Sequence, residues 1–211
     1  GNPAQIDPAT NHALVLEFFV GNDGDHLGTS VASAGDIDGD GQVEIIVGSF
    51  VEDNKVHAFH VNGTPVSGWP VTLEHGGMVG AQAVGDLNND GANEVVGCEW
   101  GRCFPTPLPN KVHVWDEAGQ PLPGWPYQFP LEYGILSFAS PVLADLDGDG
   151  SLEIILQYRD TTCEHPGLYS GIIVLNSDGT VRPGWPIRTV PSSGPVVADI
   201  DGDGFQEIIV G

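Results

Sequence analysis

One segment of this chain reads Asp145-Leu146-Asp147-Gly148-Asp149-Gly150-Ser151-Leu152-Glu153 and runs directly into the apolar Ile154-Ile155-Leu156. It places acids at positions 1, 3, 5 and 9 of a loop, a glycine at position 6, and an apolar segment directly after the last acid. Side-chain oxygens at alternate positions, with a glycine at the turn, are what a hard cation such as Ca²⁺ requires. The segment therefore predicts a cation-binding loop that leads into a β-strand.

The same acidic loop occurs four times in the 211 residues, and each copy leads into an apolar segment. The copies, called loops one to four, follow one another at intervals of about 50 to 60 residues and span 36–44, 86–94, 145–153 and 199–207. A Gly-Trp-Pro triplet recurs in phase with them, at 68–70, 124–126 and 184–186. Repetition at such a period indicates an array of equivalent structural units.

Each unit has the pattern of four short strands. A strand of small residues precedes the acidic loop, an apolar strand follows it, and a third strand leads through an Asn/Gly turn to a short fourth strand carrying Gly-Trp-Pro. Four short strands in about 50 residues are typical of a β-propeller blade, and helical periodicity is absent from the sequence. We therefore predict an all-β fold, a β-propeller of four-stranded blades.

The repeats also predict how the chain divides. Residues 1–28 are expected to supply a strand of a preceding blade and the lead-in, 29–79, 80–138 and 139–193 to form blades, and 194–211 to form a partial blade. Because the last unit stops just after its second strand, we expect the chain to be a fragment of a larger ring of about seven blades.

At these residues the chain resembles the FG-GAP or VCBS repeat family of integrin-α-like β-propellers. Leu27-Gly28-Thr29-Ser30-Val31-Ala32-Ser33-Ala34-Gly35-Asp36, followed by Asp38-Gly39-Asp40-Gly41, is similar to the integrin-like repeat. The later units, with Ala-Asp-Leu/Ile-Asp-Gly-Asp-Gly and their Gly-Trp-Pro strands, are similar to the microbial form. The resemblance covers about residues 27–211. It implies a structural Ca²⁺ in each loop, up to four in all.

The ligands implied by the resemblance are the side chains at positions 1, 3, 5 and 9 and the backbone carbonyl at position 7. The side chains are those of Asp36, Asp38, Asp40 and Glu44, of Asp86, Asn88, Asp90 and Glu94, of Asp145, Asp147, Asp149 and Glu153, and of Asp199, Asp201, Asp203 and Glu207. The carbonyls are those of Gln42, Ala92, Ser151 and Phe205. An EF-hand is excluded, because a strand closes each loop and the last acid stands at position 9 instead of 12.

Two departures from the family pattern bear on metal binding. Position 9 is glutamate in every loop, where integrin-type loops usually have aspartate, so the longer side chain can alter the ligation. In loop two, Asn88 and Asn89 replace an aspartate and a glycine, which removes one charge and puts a side chain where glycine is easiest. We expect loop two to bind metal most weakly.

The charge of the chain limits its partners. The formal net charge is −23, from 29 acidic and six basic residues. Nucleic acids and anionic membranes need basic patches, so neither is an expected partner, and no apolar run is long enough to insert into a bilayer. Loops of this kind in extracellular modules bind Ca²⁺ at about 10⁻⁴–10⁻³ M, a concentration found outside cells. We expect an extracellular protein, secreted or at the cell surface.

The three cysteines leave several arrangements open. Cys98 and Cys103 flank a short loop and can form a disulfide, Cys103 and Cys163 are a second possible pair, and all three can be reduced thiols.

Side chains that recur in every unit are interpreted as structural, so ligand binding is sought where the repeat is interrupted. His57 and His113 are expected on a sheet face, and the tryptophans of the triplets between blades. Units two and three carry insertions at 99–110 and 159–170, on the connections expected to face away from the acidic loops. The candidate ligand-binding residues there are Trp100, Arg102, Arg159 and His165.

The function favoured by these observations is a non-catalytic, extracellular, calcium-binding propeller module for cell-surface adhesion or for binding a protein or glycan. The remaining blades of a parent protein are expected as neighbours. Two alternatives stay open. The chain can be part of a calcium-dependent enzyme similar to polysaccharide lyases, although six basic residues are few for an anionic polymer, or it can be an architectural spacer of a surface protein.

Overall fold

The computed structural model describes residues 27–33, 35–49, 54–74, 76–101, 106–131, 136–160, 170–191 and 193–211. Fifteen strands are formed there. They are β1 (Leu27–Ser33), β2 (Glu44–Ser49), β3 (Lys55–His60), β4 (Val71–Thr72), β5 (Met78–Gly85), β6 (Glu94–Glu99), β7 (Lys111–Trp115), β8 (Tyr127–Gln128), β9 (Leu136–Phe138), β10 (Val142–Ala144), β11 (Glu153–Asp160), β12 (Gly171–Leu175), β13 (Ile187–Arg188), β14 (Val196–Ala198) and β15 (Glu207–Ile209).

The strands form antiparallel sheets in chain order. Two sheets have the order β1-β2-β3-β4 and β5-β6-β7-β8. A third has the order β10-β11-β12-β13, with β9 pairing beside β10 on β11, and β14 pairs with β15. The prediction of an all-β chain built from antiparallel four-stranded sheets is confirmed. The acidic loops connect the adjacent antiparallel strands β1 and β2, β5 and β6, β10 and β11, and β14 and β15, so all four loops occupy equivalent places.

The Gly-Trp-Pro triplets lie slightly earlier than predicted. The sequence placed them within the fourth strand, but β4, β8 and β13 begin directly after the prolines, at Val71, Tyr127 and Ile187. Proline has no N–H to donate to a sheet ladder, so the ladder starts at the next residue. The Trp–Pro peptide bond is cis in all three triplets.

The triplets also join neighbouring sheets. The indole Nε1 of Trp69 donates to the carbonyl of Glu117 at 3.1 Å, and that of Trp125 donates to the carbonyl of Ser177 at 3.0 Å. The accepting residues belong to the turns after β7 and β12. Trp185 and, from the next sheet, Val197 both pack against the cluster that contains Ile155 and Ile172. The interpretation of these tryptophans as inter-blade contacts is confirmed.

The apolar core lies between adjacent sheets. One cluster joins Ile46 and Val56 of the first sheet to Val95 and Trp115 of the second. A second cluster joins Val96 and Val114 to residues of the third sheet that include Ile154, Leu156 and Ile173. The second and third sheets are thus covered on both faces. This explains the apolar runs of β6 and of the first half of β11, since strands covered on both faces can carry continuous apolar residues.

Cys98 lies inside the second cluster, where its side chain is 1% exposed and its thiol is free. Burial raises the pKa of this thiol. The alternative of a Cys98–Cys103 disulfide is therefore wrong, because the side chain points into the core. The Cys103–Cys163 alternative falls outside the described residues. Among the residues that the structure describes, no helix is long and apolar enough to cross a membrane.

Candidate metal centres

The aspartate at position 1 shapes each loop. In loop one, Asp36 accepts the N–H of Gly39 at 2.8 Å on one carboxylate oxygen and that of Gly41 at 2.9 Å on the other. Asp145 and Asp199 bind the corresponding glycines of loops three and four. Desolvation opposes ionisation of Asp145, but the surrounding N–H groups outweigh it and lower the pKa of that carboxyl. In loop three, the first acid is thus held ionised inside a turn.

The acid at position 5 also accepts a backbone N–H within the turn. Asp40 accepts the N–H of Gln42 at 2.8 Å, and the same bond recurs at position 5 of the other loops. Coordination by the carbonyls of Gln42, Ala92, Ser151 and Phe205 stays a prediction.

The carboxylates converge without any backbone rearrangement. One ligand atom from each of Asp36, Asp38 and Asp40 lies within 4.8 Å of the others, and the same holds for Asp199, Asp201 and Asp203. In loop three the converging set is Asp145, Asp147 and Glu153. Clustered oxygen donors of this kind fit a hard divalent cation such as Ca²⁺.

The glutamate at position 9 fits a cation particularly well. Its Oε2 accepts the N–H of the residue at position 2, at 2.8 Å in all four loops, from Ile37, Leu87, Leu146 and Ile200. The longer arm of glutamate therefore reaches back under the loop, which explains why position 9 is not aspartate. Glu44 is 0% exposed, and its Oε1 accepts no hydrogen bond from any described residue. A buried carboxylate oxygen without a partner is costly, so the site favours a cation beside it.

Loop two differs from the others in the way the sequence indicates. Asn89 has φ 59°, whereas the glycines at the same position of loops one, three and four have φ between 75° and 78°. Apart from glycine, asparagine is one of the few residues that visits this left-handed conformation. Burial raises the pKa of Glu94 to about 7, and Asp90 and Asp86 add to the rise against the N–H of Leu87. Weaker metal binding by loop two stays a prediction.

Two side chains that the sequence analysis did not consider lie against the loops. In loop one, His60 Nδ1 is 3.4 Å from Glu44 Oε1. In loop three, Arg182 donates from Nη2 to Asp147 Oδ2 at 3.0 Å and lies 3.2 Å from Glu153 Oε1. Arg182 also lines a cavity of about 620 Å³ between loop three and the turn at 176–178. The sequence does carry a signal for His60 and Arg182, since each differs from the residues at the same position of the otherwise similar repeats.

Neighbouring loops contact one another. The amide of Asn93 in loop two donates to the carbonyl of Asp36 in loop one at 2.7 Å. The N–H of Leu152 in loop three donates to the carbonyl of Leu87 in loop two at 3.0 Å. Both contacts join position 8 of one loop to the first turn of the preceding loop. A conformational change in one loop would therefore alter its contact with the neighbouring loop.

The structure describes two of the four candidate ligand-binding residues. Trp100 is half-buried, and its backbone N–H donates to the carbonyl of Gly77 at 3.2 Å. Arg159 is exposed on β11, where it pairs with Ser137 of β9. Arg102 and His165 fall outside the described residues, so the proposed grouping of all four stays a prediction.

A polar cluster near Trp100 was missed by the sequence analysis. His113 Nε2 lies 2.7 Å from Oε2 of Glu99, which is 0% exposed. Lys111, 3% exposed, binds Glu74. The expectation that His57 and His113 lie on a sheet face is confirmed by their rings, which stack on Phe59 and Trp115. Glu99 stands at the position on β6 that Ser49 occupies on β2.

Comparison with known proteins agrees with the repeat pattern. A family model described as an FG-GAP-like repeat matches residues 36–97, which confirms the resemblance to this family. No sequence among the curated proteins matches the chain.

Among solved structures, the chain is similar to the crystal structure of the exotype rhamnogalacturonan lyase YesX, with a TM-score of 0.57 and 21% sequence identity. The likeness covers 92% of this chain and 40% of that one, so the chain spans less than half the length of the lyase. At this level of identity the comparison concerns the fold.

Proposed function

We propose that the chain is a calcium-binding β-propeller module of an extracellular protein, in which Ca²⁺ stabilises the acidic loops and another face binds a protein or glycan at a cell surface. The observation that carries the proposal is the glutamate at position 9, which is buried in loops one, two and three. One of its oxygens accepts a backbone N–H in every loop, and in loops one and three the carboxylate lies within 4.8 Å of the aspartate at position 3. The arrangement supports a structural role for the metal, since each ion would join the start of a loop to the strand that follows.

The charge of the chain supports the same role. About half of the 29 acids belong to the four loops of a molecule with net charge −23. Bound divalent cations would relieve the repulsion between these acids, which otherwise opposes compaction. Typical affinities of extracellular calcium modules, about 10⁻⁴–10⁻³ M, would fill the loops outside cells and leave them largely metal-free in the cytosol. The proposal therefore includes an extracellular location, with further blades supplied by the parent protein.

Thermal unfolding in EDTA and in millimolar Ca²⁺ tests the metal role. At a Ca²⁺ concentration of about 10 times Kd, each site contributes about 1.4 kcal/mol to the free energy of unfolding, so four occupied loops should raise Tm by roughly 10 °C or more. Asp145→Asn should reduce the rise. Glu117→Gln is the matched control, because Glu117 is an exposed acid outside the loops. An equal Tm in EDTA and Ca²⁺ would rule out the structural role.

The partner would bind through Trp100, Arg102, Arg159 and His165. A screen of the Ca²⁺-loaded chain against glycans and cell-surface proteins should give a ligand whose binding falls at least tenfold in Trp100→Ala and Arg159→Gln. Retention of Tm in both variants is the control for folding. A screen without any hit would favour the architectural spacer instead.

A second candidate is a part of a polysaccharide lyase, and the structural likeness to a rhamnogalacturonan lyase over 92% of this chain favours it. Such an enzyme needs a base for proton abstraction and cationic groups for the uronate, and the pair of His113 and Glu99 close to Lys111 is the nearest arrangement of that type. Incubation with rhamnogalacturonan, followed by ultraviolet absorbance of the unsaturated product, tests it. Activity that is lost in His113→Gln would establish the enzyme, and an unchanged absorbance would exclude it for this chain.

A further inference from the structure

A nitrogen donor, His60, lies beside loop one, whereas Asp116 and Asn176 stand at the corresponding position beside loops two and three. His60 lies at the end of β3, directly opposite Glu44 in the β2–β3 ladder. Its Nδ1 is 3.4 Å from Glu44 Oε1 and 4.0 Å from Asp40 Oδ2, and its Nε2 is 3.7 Å from Asp38 Oδ2. One ligand atom from each of Asp38, Glu44 and His60 lies within 4.8 Å of the others. The imidazole thus completes a second donor set in the same loop.

The facing atoms of this set do not satisfy one another. Both Glu44 Oε1 and His60 Nδ1 are buried and have no hydrogen bond to any described residue. They are close in space but lack hydrogen-bond geometry. Two ligands on one tetrahedral zinc ion, each about 2.0–2.1 Å from the metal, are about 3.3–3.4 Å apart. The separation of 3.4 Å between these two atoms is therefore the separation that a shared metal would give.

The side chain of His60 does not bind the turn in the way that the side chains at the equivalent positions of the other sheets do. The N–H groups of His60, Asp116 and Asn176 all donate to the carbonyl four residues later, so the three positions correspond. Asp116 uses its side chain to accept the N–H groups of Ala118 and Gln120. Asn176 donates its side-chain amide to the hydroxyl of Thr180. His60 instead points its side chain at the acidic loop.

In loop three, the carboxylates have a partner that forms ion pairs and hydrogen bonds but cannot bind a metal. There the carboxylates of Asp147 and Glu153, which correspond to Asp38 and Glu44, are paired with the guanidinium of Arg182. Arginine donates hydrogen bonds and has no lone pair to offer a metal. Neutral imidazole has such a lone pair and is a common ligand of zinc and related transition metals. The two loops thus have the same carboxylates but different chemistry beside them.

We propose that loop one binds a divalent transition-metal ion of the zinc class through Asp38, Glu44 and His60, whereas loop three, with Arg182 beside its oxygen donors, is left to Ca²⁺. The inference rests on the proposed function in one respect, namely that the acidic loops are cation sites. It adds a change of metal selectivity in one repeat. A mixed set of one imidazole and two carboxylates matches the ligands that zinc accepts in proteins.

Titration of the Ca²⁺-saturated 211-residue chain with Zn²⁺ tests the proposal. Wild type should bind one Zn²⁺ equivalent that His60→Asn lacks, or binds at least tenfold more weakly. Asparagine is the residue at the corresponding position 176, so the variant repeats a side chain that this fold already accepts. His57→Asn is the matched control on the same strand and should keep the zinc equivalent. Equal zinc affinity and stoichiometry in wild type and His60→Asn would overturn the proposal.

A measurement on the unaltered protein covers the case in which His60→Asn does not fold. Long-range ¹H–¹⁵N spectra should show the Nδ1 resonance of His60 shifting on addition of one equivalent of Zn²⁺, with no such shift on addition of Ca²⁺. Absence of the zinc shift would contradict the assignment. Co²⁺ in place of Zn²⁺ should give visible absorption bands that His60→Asp, which repeats Asp116, weakens.

The outcomes separate this inference from the proposed function. If Ca²⁺ raises Tm but zinc binding does not depend on His60, the selectivity of loop one is refuted and the calcium module stands. If zinc binds through His60 but Ca²⁺ leaves Tm unchanged, the calcium module is refuted and the zinc-class site stands.

Discussion

The guanidinium of Arg182 lies 3.2 Å from the buried Oε1 of Glu153, the oxygen that faces the cation position of loop three. The structure therefore places a fixed positive charge where a metal ion would neutralise the same carboxylate. In loops one and two, the residues that correspond to Arg182 are the apolar Val66 and Leu122, whose N–H groups make the same backbone bond. In loop three, the guanidinium of Arg182 and a bound metal ion would therefore compete for the carboxylate of Glu153.

Replacement of Arg182 by leucine, the residue found at 122, should lower the stability of the metal-free protein and raise the calcium affinity of loop three. Burial raises the pKa of Glu153, and Arg182 opposes that rise, so its removal leaves the carboxylate without a positive neighbour. Loss of a partly exposed charged pair costs about 1 kcal/mol. Differential scanning calorimetry in EDTA and isothermal titration with Ca²⁺ measure the two effects. Arg188→Leu is the control on the same sheet, and an equal calcium affinity in wild type and Arg182→Leu would contradict the competition.

Asn88→Asp should strengthen metal binding by loop two. The substitution restores the acid found at position 3 of the other three loops and adds one negative charge to the donor set. Ligand charge tunes the affinity of such loops over orders of magnitude, so we expect Kd to fall about tenfold. Calcium titration of the variant measures it, with Asn89→Asp as a control that adds the same charge at position 4, which is not a ligand position. A similar gain in both variants would indicate a general charge effect instead of ligation.

The metal-free protein should lose stability as pH rises because of Glu94. Its pKa is raised from 4.5 to about 7 in the folded state, mainly by burial. A carboxyl with a raised folded pKa favours folding fully below its unfolded pKa, and this contribution is lost as pH rises from about 4.5 through 7. Glu94→Gln removes the titration, so Tm in EDTA should fall less across this range in the variant than in wild type. Parallel curves for the two proteins would show that Glu94 titrates normally.

Binding of Ca²⁺ should release protons from the chain. Because metal binding requires the ionised carboxylate, Ca²⁺ should displace a proton from Glu94 below pH 7, and calorimetric titrations in buffers of different ionisation enthalpy should detect its release. Glu94→Gln should release fewer protons per chain than wild type.

The repeated parts of the molecule were largely predictable from the sequence. Loop spacing, strand order and the packing role of the tryptophans follow from local patterns, because the residues concerned are close in the chain and recur in phase. The hydrogen bond from the N–H of Ile37 to Glu44 could not be predicted. The sequence showed only that position 9 is always glutamate. The positions of His60 and Arg182 depend on the pairing register of separate strands, which composition and periodicity do not give. The start of β4 after Pro70 was missed for a simpler reason, since the missing N–H of proline was not weighed.

Close approach between neighbouring sheets predicts a difference between two glycines of the Gly-Trp-Pro triplets. Gly124 and Gly184 both have φ 93°, so alanine is equally strained at either position. A Cβ at Gly124 would collide with the backbone carbonyl of Asp178 in the next sheet, whereas a Cβ at Gly184 would meet no described atom within 4 Å. Left-handed strain alone costs about 1–2 kcal/mol, and forcing a backbone contact adds about 1–3 kcal/mol. Gly124→Ala should therefore lower the free energy of unfolding more than Gly184→Ala by that second amount, as measured by urea denaturation in Ca²⁺. Equal losses in the two variants would mean that the sheets can separate at this contact without cost, and that the indole of Trp125 is not held by the turn it binds.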